Sequence, residues 1–115
     1  MLSDKSKQAI RDVYQNIRDS LPDFAVRKSQ NILVAEMAKT LAGNFDKNRR
    51  LIIAEAGTGT GKSLAYLIAG IPLATEAKKT LVISTATIAL QEQLLHKELP
   101  FFRRQSGLKF EFALV

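Results

Sequence analysis

Ile10, Val13, Tyr14, Ile17 and Leu21 recur at the i, i+3, i+4, i+7 spacing that places apolar side chains on one stripe of a helix. Lys5, Lys7, Arg11, Asp12, Arg18 and Asp19 fall on the other faces, and Ser3 or Asp4 can cap the start. Pro22 predicts the stop, because its ring does not fit a helix interior; residues 21–24 then read as a short extended joint. A second helix is predicted from Ser29 to Leu41, with Leu33, Met37 and Leu41 facing a core and Gly43 supplying a left-handed stop. Residues 44–50 are polar and read as a loop.

The pattern then changes. Residues 51–54 (Leu-Ile-Ile-Ala) and 81–83 (Leu-Val-Ile) are continuous apolar runs, the signature of strands covered on both faces in a parallel sheet. Between them lie a Gly-rich loop and a helical stretch from Lys62, which makes a strand–loop–helix–strand unit with a right-handed crossover. A helix over Ile88–Lys97, an interruption at Pro100 with a last turn at Phe101 and Phe102, and a third strand over 109–114 complete the expectation. The predicted class is α/β, a P-loop NTPase with part of a RecA-like lobe around a parallel sheet. Residues 1–23 form a helical lead-in and 24–115 the lobe. With no closing helix after the last run, the lobe reads as interrupted. No internal repeat or low-complexity segment is present.

The 115 residues and 12.7 kDa suit one small domain and exclude a complete two-lobed motor. Lys and Arg number 17 against 11 Asp and Glu, a net charge of +6. This favours polyanionic partners only weakly, because the excess is spread along the chain rather than gathered into a basic arm. Without cysteine, the segment has no disulfide, thiolate metal site or cysteine nucleophile, and its single histidine, His96, cannot form a histidine cluster. The longest apolar stretch, Leu64–Ala74, contains Pro72 and is far short of the roughly 20 residues a bilayer span needs. No signal-peptide core follows Met1. No membrane partner is expected, and a cytoplasmic location is.

The richest chemistry lies at Ala56-Gly57-Thr58-Gly59-Thr60-Gly61-Lys62-Ser63, a phosphate-binding loop pattern with Ala at its first position. Gly57, Gly59 and Gly61 permit positive backbone dihedrals and leave no side chain in a phosphate's way. The loop's N–H groups, with Thr58 and Thr60 between the glycines, can turn inward as an anion nest, and the following helix adds its positive end. Lys62 suits the β- and γ-phosphates of ATP, and the Ser63 hydroxyl suits Mg²⁺. A dinucleotide fingerprint fits worse, since the glycine it needs three residues after Gly59 is replaced by Lys62.

Residues 55–67 (Glu-Ala-Gly-Thr-Gly-Thr-Gly-Lys-Ser-Leu-Ala-Tyr-Leu) resemble motif I of the XPD-like iron–sulfur DNA helicases of superfamily 2. Pro22-Asp23-Phe24, Arg27 with Gln30, and residues 38–43 (Ala-Lys-Thr-Leu-Ala-Gly) resemble the bacterial DinG branch of that group, as do residues 80–94, which match its motif Ia. The resemblance implies the N-terminal part of an ATP-dependent helicase that moves 5′ to 3′ on single-stranded DNA in repair or replication. In that reading Gln30 reads adenine with Arg27 beside it, Lys62 and Ser63 do the phosphate and metal work, and Ser84, Thr85 and Gln91 touch the DNA backbone. An amide can donate and accept at once, as adenine requires; small hydroxyls at a helix start suit phosphates.

Two positions depart from the family. Ser29 replaces the usual Pro before the glutamine, and Ser63 replaces a common Thr. The cysteines of the 4Fe-4S cluster, the Walker B acid and the second motor lobe are absent from this segment, so the 115 residues alone are expected to turn over no ATP. Two other classes fit the residues: another P-loop enzyme such as a small-molecule kinase, and a non-catalytic nucleic-acid-binding domain. They differ in their response to nucleotide and to single-stranded DNA. No oligomeric state follows from the sequence.

Overall fold

A computed structural model describes residues 2–20, 28–44, 47–53 and 62–114; for Lys28, Ser29, Lys62 and Ser63 it describes the backbone alone. Five α-helices run in chain order among the described residues: α1 (Asp4–Ser20), α2 (Lys28–Leu41), α3 (Lys62–Ala77), α4 (Ile88–Gln93) and α5 (Leu99–Ser106). A π-helical stretch, Leu94–Glu98, joins the last two.

Ser3 caps α1: its hydroxyl oxygen accepts from the Ser6 N–H at 3.1 Å. Asp4 in the first turn and Arg18 in the last complement the helix dipole. The buried stripe is Ser6, Ile10, Val13 and Ile17. Ser6 is polar, and it donates to the Glu76 carboxylate near the end of α3, which ties the two helices. The stop expected at Pro22 lies outside the described residues.

Helix α2 buries Leu33, as the spacing predicts, but Leu41 is 42% exposed, and Val34 and Ala38 take the core positions instead. A strict repeat of four residues advances about 40° beyond each full turn, so its third member has rotated off the face that the first occupies. Gly43 ends α2 as expected, with φ 81°. The Gly43 N–H donates to the Thr40 carbonyl and the Asn44 N–H to the Lys39 carbonyl, a Schellman pair. A Cβ at Gly43 would lie 2.9 Å from the Arg50 side chain, which folds back to donate to the Leu41 carbonyl.

Helix α3 is the centre of the fold. Ala65, Leu67, Ile68 and Ala69 are fully buried, and α1 and α2 both pack on this helix. A helix apolar on every side has to be enclosed in this way. Phe102 of α5 is also fully buried, with α5 packed on α1, and the Asn16 side chain donates to the Ser106 carbonyl at the end of α5. Each such side chain contributes about 1.5–3 kcal/mol.

Pro100 does not end the helical path as the sequence predicts. It has no N–H to return to residue 96, and the preceding turn widens so that Leu99 donates to the Leu94 carbonyl. The predicted last turn at Phe101 and Phe102 becomes α5, with Gly107 at φ 78° beyond it.

The α/β class is overturned. Among the described residues there is no strand and no sheet. A strand exists only when its N–H and C=O groups meet those of a neighbour. No described backbone hydrogen bond outside the helices involves residues 51–53, 81–83 or 109–114. Ile53 is 91% exposed and Val82 80%. Leu81 instead packs into the notch at Gly70 of α3, where an added Cβ would stand 3.0 Å from its side chain. Only single side chains of these runs, Leu81, Ile83 and Phe110, lean on the helical core, without backbone pairing.

Tyr14 is half-buried against the core, and desolvation raises its pKa above the ordinary 10.0, with Arg18 opposing more weakly. The folded state therefore favours the neutral phenol. That contribution is complete below the unfolded pKa and is lost as pH rises through the folded value. Tyr14→Phe should flatten the decline in stability above about pH 10, read as urea midpoints across alkaline pH, and leave neutral-pH stability within about 1 kcal/mol.

Candidate nucleotide and nucleic-acid site

Arg27, Gly57, Thr58, Gly59, Thr60 and Gly61 lie outside the described residues. What the structure does place is the element that follows the loop. Helix α3 opens at Lys62, with Ser63 next, and continues to Ala77. A helix of this length directs unpaired N–H groups and a positive dipole end toward whatever precedes it. The chemistry of Lys62, Ser63 and that helix start fits a Mg²⁺-bound polyphosphate. Among the described residues the strand expected before the loop does not form: residues 51–53 make no described backbone hydrogen bond, and Leu51 is 77% exposed.

Gln30 sits in the first turn of α2 and is buried at 3% exposure. Burial of an amide beside an apolar core keeps it from bulk water, the condition under which hydrogen bonding discriminates most strongly. Tyr66 is half-buried on α3 and packs against the core.

Ser84, Thr85 and Gln91 come together on one cavity of about 780 Å³, between residues 78–85, the α4 and π-helical walls, and residues 109–114. Three lysines, Lys78, Lys79 and Lys109, line the same cavity with a single carboxylate, Glu111. Arg103 reaches that carboxylate at 3.7 Å and stacks 4.9 Å over the Phe112 ring. The net lining is cationic. Lys109 was not singled out by the sequence, where it is only the first residue of an apolar run.

Local hydrogen bonds set what the hydroxyls offer. The Thr85 hydroxyl donates to the Thr87 carbonyl at 3.2 Å, so it presents lone pairs outward and must rotate before donating to an anion. Thr87 caps α4, its Oγ1 accepting from the Leu90 N–H at 3.2 Å. His96 pairs with Glu92 at 2.9 Å on an exposed helix face, one turn apart. Among the described residues no group of His, Asp or Glu could hold a metal, and no helix is long and apolar enough to cross a membrane.

No protein-family model matches the chain. Curated relatives do match, among them three named ATP-dependent DNA helicase DinG. The protein of Photobacterium profundum is 52% identical over 115 residues, all of this chain and 17% of its own length. That of Escherichia coli K12 is 47% identical over 108 residues, 93% of this chain and 15% of its own. That of Salmonella typhimurium LT2 is 48% identical over 98 residues, 85% and 13%. The chain thus spans less than a fifth of the length of these relatives.

Thr87 caps α4, the helix that brings Gln91 to the cationic cavity. Thr87→Ala should cost about 1 kcal/mol through loss of the cap, measured as a fall in thermal midpoint, whereas Thr87→Ser should retain most of the stability.

Proposed function

From a chain that is DinG-like helicase sequence along its whole length, we propose that these residues serve an ATP-dependent DNA helicase and carry its grip on the nucleotide phosphates. The observation that carries this reading is that the Gly-Thr-Gly-Thr-Gly-Lys-Ser segment runs into a long buried helix starting at Lys62. ATP with Mg²⁺ is the cofactor, and its chemistry is phosphoryl transfer to water.

Gly57, Gly59 and Gly61, with Thr58 and Thr60, offer backbone N–H groups to the phosphates. Lys62 balances charge on the terminal phosphates, and Ser63 supplies a hydroxyl to the metal. Gln30, with Arg27, recognises adenine through paired donation and acceptance. Ser84, Thr85 and Gln91 bind the backbone of single-stranded DNA, with Lys78, Lys79 and Lys109 supplying the attraction. The setting is cytoplasmic. An iron–sulfur cluster and the acid that polarises the attacking water belong to helicase sequence other than these residues.

In a full-length helicase containing this segment, Lys62→Ala should lower DNA-stimulated ATP hydrolysis by about 100-fold or more, followed as phosphate release. Turnover near the unsubstituted rate overturns the assignment. Lys78→Ala with Lys79→Ala should weaken oligo-dT binding and reduce the slope of log K against log salt by about 1.4, two phosphate contacts on a single strand. An unchanged slope removes these lysines from the DNA path.

A further inference from the structure

A second groove, of about 700 Å³, lies between α1 and α2 and takes no part in the nucleotide or DNA reading. Its floor is apolar: Ile10, Val34 and Ala38 are buried core residues, and Tyr14 is half-buried beside them. Its rim carries Lys7 and Arg11, one turn apart on α1, and Lys39 on α2. No Asp or Glu is among its described lining residues. Among the described residues none of the three cations lies within ion-pair distance of a carboxylate. The acids of α1 with described bonds accept from glutamines, Asp12 from Gln8 and Asp19 from Gln15.

We propose that this groove docks an acidic amphipathic helix of a partner protein. The two halves of the site ask for different chemistry from one ligand. The floor gains from apolar side chains, and the cations on both rims gain from carboxylates. A helix with apolar residues at i, i+3, i+4 and i+7 and acids on its flanks supplies both at once. Charge complementarity raises the rate of encounter and sets orientation, while the apolar anchors set residence time. Single-stranded nucleic acid satisfies only the rims. Among the described lining residues Tyr14 is the one aromatic side chain, and itself half-buried, so successive bases find no series of stacking faces there.

The test uses the 115-residue chain and a fluorescent synthetic peptide with Leu at i, i+3, i+4 and i+7 and Glu elsewhere, read by anisotropy. Saturable binding that weakens with salt is expected, with amide shifts in the unsubstituted chain confined to α1 and α2. Lys7→Glu with Arg11→Glu, both at exposed positions, should weaken it about tenfold or more while helical circular dichroism is retained. Lys62→Ala should leave it unchanged, which separates this site from the phosphate loop. The proposal is overturned by absence of saturable binding, by equal binding of a scrambled peptide of the same composition, or by shifts outside α1 and α2. Displacement of the peptide by oligo-dT, with the same sensitivity to the double variant, would reassign the groove to nucleic acid.

Discussion

Enclosure of α3 is the constraint on which the other features rest. Its residues from Leu67 to Pro72 are buried whichever way they face, so no single partner helix could cover it. Three helix contacts follow: α2 and α1 against α3, and α5 against α1. Because a helix is stiff, burying its middle also fixes the direction of its first turn. The helix start at Lys62, where a phosphate role is proposed, therefore takes its direction from packing several residues further along.

The helical half of the chain is legible in the sequence because helix formation is a local matter. Ile10, Val13 and Ile17 announce their stripe, and Gly43 its left-handed stop, without reference to distant residues. The sheet expected at 51–54, 81–83 and 109–114 was not a local inference. Apolar runs of three to six residues do not fix a strand by themselves, because pairing depends on a neighbour that local sequence does not specify. The notch at Gly70 shows the difference, since Leu81 fills it as a side chain against α3 and not as a rung of a ladder. The error at Pro100 has another origin. Proline forbids one hydrogen bond but leaves a wider helical path open, and spacing alone does not reveal that Leu99 will reach Leu94.

The candidate site divides along the same line. Motif spacing identifies Lys62 and Ser63 and leads to the helix start that the structure shows. The family resemblance names Ser84, Thr85 and Gln91, which the fold gathers on one cavity, though neither it nor the motif points to Lys109. That lysine joins the cavity through the return of the chain after Gly107 and not through any neighbour in sequence. Basic residues spread thinly along a chain can thus become concentrated once it folds, and a charge count by segment does not detect this.

That concentration occurs twice, on two surfaces with different floors. The cavity beside α4 combines hydroxyls, an amide and lysines over apolar walls, a lining able to bond to phosphate oxygens. The groove between α1 and α2 has cations at its rims over aliphatic side chains, with no hydroxyl-bearing residue but Tyr14 among its described lining. Electrostatic attraction alone treats all polyanions alike and fades with salt. The uncharged atoms between the cations must then discriminate. On the two proposals above, separate surfaces would let a small basic domain hold nucleic acid and an acidic protein segment without competition, a division of labour that net charge by itself could not produce.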